Sequence, residues 1–152
     1  FFRDFVSSFI NDNSKKATNK FIEQLLLLNM KTFPLFYLSF LLPYLCFLEY
    51  DVIKYRDIYK IEFLSICFSI MFQMADDMED FDKDKLSGKI DSHLKILSFK
   101  DAINLYNILK VEFLKIIVEL FSTQVDETPP IFVYLVELLD KKIKLYDNGN
   151  FT

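Results

Sequence analysis

Glycine and proline are scarce in this chain, two and four residues in 152. A β-sandwich or barrel needs a turn signal about every 8–12 residues, so this little punctuation excludes both. Tryptophan is absent, and the only arginines are Arg3 and Arg56. With a formal net charge of −4, the chain lacks the basic face of a nucleic-acid binder. The single histidine, His93, is read as a polar surface residue with no assigned role. The first ten residues carry no basic-then-apolar signal pattern. The two cysteines, Cys46 and Cys67, sit inside apolar runs. They are expected as buried free thiols of a reducing compartment, cytoplasm or organellar matrix. What the chain has in quantity is grease: 52% apolar residues, with 18 Phe and 8 Tyr. That excludes low-complexity disorder. Long apolar stretches with few breakers predict an all-α fold, one helical domain over residues 1–152.

Several helices follow from periodicity and caps. Residues 1–11 read as a helical end piece with aromatics on one side, followed by a polar break at Asn11 to Ser14. A helix is expected from Lys15 to about Lys31. Residues 32–48, TFPLFYLSFLLPYLCFL, contain no charge. Seventeen uncharged residues lie at the lower edge of a membrane span. Two prolines, Ser39, and flanks without a basic cluster favour a buried, proline-kinked helix instead, and no transmembrane span is expected. A second long helix begins at Asp51, turns apolar on every face from Ile61 to Ala75, and ends in an acidic run, residues 76–89. A third opens at Ser98 and Asp101. Its apolar stripe runs through Ala102, Leu105, Leu109, Phe113, Ile116 and Leu120, opposite Asn104, Asn107, Lys115 and Glu119. A fourth starts at the Thr128 cap with Pro129, carries Lys141, Lys142 and Lys144 near its end, and stops before Gly149.

The acidic run carries the chemistry. Asp76 and Asp80 are four apart and share a helix face, with Asp77 beside them. Three acids there repel one another, and at a helix C-terminus the macrodipole disfavours them further. A bound cation would remove that cost. Carboxylate oxygens at this spacing suit Mg²⁺, which takes one or two protein carboxylates together with substrate phosphates. The bland alternative is a solvated acidic turn. Gln73, one turn earlier, extends the polar face inward from the acids and favours a site.

The segment FQMADDMEDFDKDKLSGKI resembles the second aspartate-rich region of the trans-isoprenyl diphosphate synthases. Gln73 takes the place of that family's glutamine, Asp76, Asp77 and Asp80 of its three acids, and Gly88-Lys89 of its Gly-Lys. Upstream, Lys31-Thr32 is similar to the family's Lys-Thr pair, and SHLKILSFKDAINLYNILK resembles the segment after the acids. The resemblance implies a helical bundle of the isoprenoid synthase type. It implies a transferase, a prenyltransferase of isoprenoid biosynthesis that condenses isopentenyl diphosphate with an allylic diphosphate. By position, Asp76, Asp77 and Asp80 would hold Mg²⁺, and Lys31 and Lys89 would contact the diphosphate. Thr32 and Gln73 would face the allylic cation with oxygen dipoles, and Phe-rich helices would line a water-free cavity for the prenyl tail. Family members commonly dimerise.

The chain also departs from the family. Only thirty residues precede Lys31, so the first aspartate-rich motif has no place, and the Gly-Gly-Gln expected before the Lys-Thr pair reads Ser7-Ser8-Phe9. One aspartate cluster cannot clamp a trinuclear Mg²⁺ site. The chain opens on Phe1 in mid-pattern, and the expectation is about half of the full bundle. The rest would come from the N-terminal half of a longer chain or from a partner subunit covering a broad apolar face. The alternative is a non-catalytic subunit packed against an active synthase.

Overall fold

The computed structural model describes residues 23–27, 29–47, 55–87, 99–121 and 129–147. Among them every regular element is helical, as expected of an all-α bundle. A leading helical stretch, 23–27, is followed by α1 (Phe33–Phe47), α2 (Tyr55–Ser87), α3 (Phe99–Phe121) and α4 (Pro130–Asp147). Helix α2, 33 residues and about 50 Å long at 1.5 Å per residue, packs against each of the other three.

Local chemistry explains where the helices start. Thr32 closes the turn after the leading stretch, donating its N–H to the Asn29 carbonyl (3.1 Å), and its own carbonyl accepts the Phe36 N–H (3.2 Å) to begin α1. Pro34 falls in the first turn, where its missing N–H has no helical partner to lose. Pro129 opens α4 in the same way, its carbonyl accepting the Phe132 N–H at 3.0 Å.

The core is aromatic. Phe113 of α3 is fully buried and packs on Phe68 of α2 (centroids 5.2 Å apart), Phe40 of α1 (5.9 Å) and Phe132 of α4 (6.2 Å). Phe36 meets Phe68 edge-on at 4.8 Å and lies 5.3 Å from Phe72. These rings pack on one another. The sequence-derived stripe of α3 matches the structure closely. Ala102, Leu105, Leu109, Phe113 and Ile116 are buried, Leu120 is half-buried, and Asn104, Asn107, Lys115 and Glu119 are exposed.

Three expectations are corrected. The second long helix does not stop at the acids; it runs on to Ser87, so Asp76 lies eleven residues from that end. No glycine or proline lies between Asp76 and Gly88, and a charged stretch without breakers continues a helix that is already nucleated. Because the macrodipole acts only over the last turn, it places no penalty on Asp76, Asp77 or Asp80. Helix α1 is not buried: Phe40 and Tyr44 are, whereas Leu35, Leu38, Leu42 and Leu45 face outward. Cys46 lies on that outward side and is exposed. Cys67 is fully buried, and its burial, then the nearby Glu112 carboxylate, push its thiol well above the usual range.

Among the described residues one helix, over Asp57–Asp80, has the length and composition to cross a membrane, but 61% of its apolar window is buried inside the bundle. Core helices pass the same test.

Polar clasps tie the helices at their edges. The Tyr44 hydroxyl donates to Asp57 at 2.6 Å, joining α1 to α2. Burial, then this bond, push the Tyr44 phenol up to about 12. An unfolded tyrosine loses its proton near pH 10, whereas Tyr44 keeps its proton to about 12. Stability is therefore expected to decline as pH rises from 10 to 12. Urea unfolding midpoints across that range test this, and Tyr44→Phe should flatten part of the decline. On the other side, Asp140 of α4 accepts from the Tyr106 hydroxyl (2.9 Å) and from Lys110 (3.1 Å to each oxygen). Lys60 of α2 pairs with Glu119 of α3 at 2.7 Å.

Candidate functional site

A polar seam runs along α2. Ser65, Ser69 and Gln73 recur at intervals of four, followed by Asp76, Asp77 and Asp80. Such spacing keeps them near one face of a helix. Ser65 and Ser69 are fully buried, Gln73, Asp76, Asp77 and Asp80 are half-buried, and Glu79 is exposed. The seam thus leads from the core outward to the acids. The aspartates are half-buried, with Met78 between them fully buried.

The Lys-Thr pair meets this seam at its inner end. The Thr32 and Ser69 hydroxyl oxygens lie 2.6 Å apart, joined by one hydrogen bond that either can donate. Ser69 also lies 3.4 Å from the Asn29 side-chain oxygen, and Thr32 lies 3.3 Å from the Asn29 carbonyl. Each hydroxyl has one proton, so two donor patterns are open. Either Ser69 donates to Asn29 while Thr32 donates to Ser69, or Thr32 donates to the Asn29 carbonyl while Ser69 donates to Thr32. Asn29 is fixed from below by donating to the Leu25 carbonyl at 2.6 Å. From Ser69 the face continues to Gln73 about 6 Å further along the axis and to Asp76 about 10 Å along. Lys31, beside Thr32, is exposed.

The acids have a protein cation beside them. Lys142 of α4 reaches Asp76 at 3.6 Å and donates a short hydrogen bond to Glu79. The Glu79 bond is the main reason the Lys142 ammonium sits above its ordinary pKa, with Asp76 adding to it. The Asp76 side chain keeps 44% of its surface in water, and pairs this exposed contribute little to folding.

These residues fit Mg²⁺ in one way only. Among the described residues no three acidic, histidine or cysteine side chains gather closely enough to hold a metal by themselves. Asp76 and Asp80, one turn apart, can supply the one or two carboxylates that Mg²⁺ needs when it arrives with a diphosphate. Such a pair would suit a cation that arrives with a phosphate-bearing ligand.

The structure thus sets Thr32 against Ser69 of α2, the helix that carries Gln73, Asp76, Asp77 and Asp80 further along, while Lys31 is exposed. Lys89, Gly88, His93 and Phe9 lie outside the described residues. Sequence reasoning missed Asn29, Ser69, Glu79 and Lys142. Ser69 had a readable signal, since Ser65, Ser69 and Gln73 are the polar residues at four-residue spacing in an apolar run. Lys142 had none, lying 63 residues from Glu79. No protein-family model, no curated protein and no solved structure matches this chain.

Proposed function

We propose that this chain supplies the diphosphate-facing half of a prenyltransferase that condenses isopentenyl diphosphate with an allylic diphosphate. The supporting observation is the Thr32–Ser69 contact at 2.6 Å. It joins the Lys-Thr pair, 41 or more residues away in sequence, to the α2 face of Gln73 and the aspartates. The reaction breaks the allylic C–O bond and releases pyrophosphate. The double bond of isopentenyl diphosphate forms the new C–C bond, and a proton leaves. Lys31 and Lys89 act as point charges on diphosphate oxygens. Thr32 and Gln73 turn oxygen dipoles towards developing positive charge. Asp76 and Asp80, with Asp77 directly or through water, would hold a Mg²⁺ that arrives with the diphosphate and would supply positive charge to the leaving group. The proposed reaction also requires a second acidic motif that these 152 residues do not contain.

Incorporation of labelled isopentenyl diphosphate into extractable product, using the whole native polypeptide and any companion chain, tests this reading. Thr32→Val, which keeps shape and removes the oxygen, should lower kcat about tenfold with little change in KM, on the scale of one lost transition-state dipole. Unchanged kcat would remove Thr32 from the site.

A second reading, a non-catalytic subunit, is favoured by Lys142. Its ammonium already pairs with Asp76 and Glu79, as suits an acidic face whose role is packing. Turnover that does not respond to changes at Asp76 would support it.

A further inference from the structure

Lys142 lies on α4 between two buried residues, Leu139 and Ile143, which seat that part of the helix against the bundle. Its ammonium reaches across to α2 and meets two carboxylates one turn apart, Asp76 and Glu79. The two contacts are unequal. Glu79 accepts a short hydrogen bond. Asp76, at 3.6 Å, is past good hydrogen-bond distance, so attraction of charge dominates there. The Glu79 bond, ahead of every other cause, holds the ammonium above its ordinary pKa, so Lys142 stays charged through neutral pH.

We infer that Lys142 is an autoinhibitory counter-cation: it closes Asp76 to Mg²⁺ alone and admits the ion only together with a diphosphate. The inference rests on the proposed reading of Asp76 as a Mg²⁺ ligand and adds how that site is regulated. A divalent ion on the Asp76 oxygen that faces Lys142 would have the ammonium within about 6 Å, given Mg²⁺–oxygen contacts of about 2.1 Å. A double and a single positive charge at that distance disfavour each other about tenfold even at the dielectric of water. A diphosphate reverses the sign. Its oxygens are anionic, so the same ammonium attracts the incoming complex instead of repelling it. Metal and anion are thereby coupled, each raising the affinity for the other by the same factor.

Two features suit Lys142 to this part. It can release Asp76 and keep a partner, because Glu79 already holds its hydrogen bond. The release also leaves the helices in place. Leu139 and Ile143 keep α4 seated, and the Lys142 and Asp76 side chains keep 35% and 44% of their surfaces in water. An ion pair this exposed contributes little to folding, so giving up the Asp76 contact hardly disturbs the fold. Only the flexible side chain of Lys142 has to shift.

Free Mn²⁺, a stand-in for Mg²⁺ that takes the same oxygen ligands, is followed by its paramagnetic resonance signal as the full chain is added without pyrophosphate. Lys142→Gln should bind Mn²⁺ about tenfold more tightly than the wild type. Lys142→Arg keeps the charge and should stay near the wild type. Lys115→Gln removes an exposed cation from α3 and should change nothing, which separates the effect from net charge. Equilibrium dialysis of labelled inorganic pyrophosphate, with and without Mg²⁺, gives the coupling, which should fall about tenfold in Lys142→Gln. Equal Mn²⁺ affinity in Lys142→Gln and the wild type overturns the inference; if the wild type still binds pyrophosphate with Mg²⁺, the proposed function stands. A wild type that binds no pyrophosphate with Mg²⁺ overturns both. Tighter Mn²⁺ binding by Lys142→Gln that survives Asp76→Ala in the same chain puts the ion elsewhere and overturns the inference as well.

Discussion

Phe113→Ala should destabilise the fold by about 3–5 kcal/mol, the range for removing a buried phenyl ring and leaving a cavity. Phe113 is fully buried and touches rings from all three other labelled helices, Phe40, Phe68 and Phe132. No neighbour can collapse into the space without breaking another ring contact, which places the loss toward the upper end. Native domains hold only about 5–15 kcal/mol in total, so the variant should sit at the edge of folding. Urea denaturation followed by circular dichroism measures the loss. Leu35→Ala, with Leu35 at 63% exposed, should cost under about 0.5 kcal/mol in the same assay at a concentration where the chain is monomeric. A Phe113→Ala cost below about 1 kcal/mol would mean that the aromatic cluster is not the centre of the fold.

Asp76→Ala should lower prenyl transfer by about 10²–10³-fold, the usual scale for losing a group that stabilises transition-state charge. The position suits the test because the fold barely depends on it. The Asp76 side chain is 44% exposed, and its partner Lys142 keeps Glu79, so stability should change by less than about 0.5 kcal/mol. A large fall in rate with an unchanged melting curve therefore reads as a loss at the site. Lys142→Gln removes the competing cation, and it should leave the rate unchanged or raise it. A rate that falls equally with Lys142→Gln and with Asp76→Ala would instead mean that the α2–α4 clasp matters and the carboxylate does not.

The parts of this molecule that were legible in its sequence are those with contrast. Helix α3 alternates apolar and polar residues at helical spacing, and its buried face could be named residue by residue. Helix α1 has no such contrast. With no charged residue between Phe33 and Phe47, nothing marks which side faces water, and the outward leucines and Cys46 had to be seen. The end of α2 was misread for the opposite reason. A dense charge run looks like a surface turn, but without glycine or proline it stays helical to Ser87. At the site, the i, i+4 relation of Asp76 and Asp80 was readable because it is local. The Thr32–Ser69 bond spans 37 residues and the Lys142–Glu79 pair 63. Both depend on how helices pack and leave no local pattern.

The central claim is that the α2 acids together with the Lys-Thr pair bind a diphosphate with Mg²⁺. Titration calorimetry of inorganic pyrophosphate into the wild-type chain, with Mg²⁺ and with EDTA, tests it most directly. The expected result is saturable binding that needs Mg²⁺ and weakens at least tenfold in Asp76→Ala. Pyrophosphate binding that is absent, or indifferent both to Mg²⁺ and to Asp76, would contradict it.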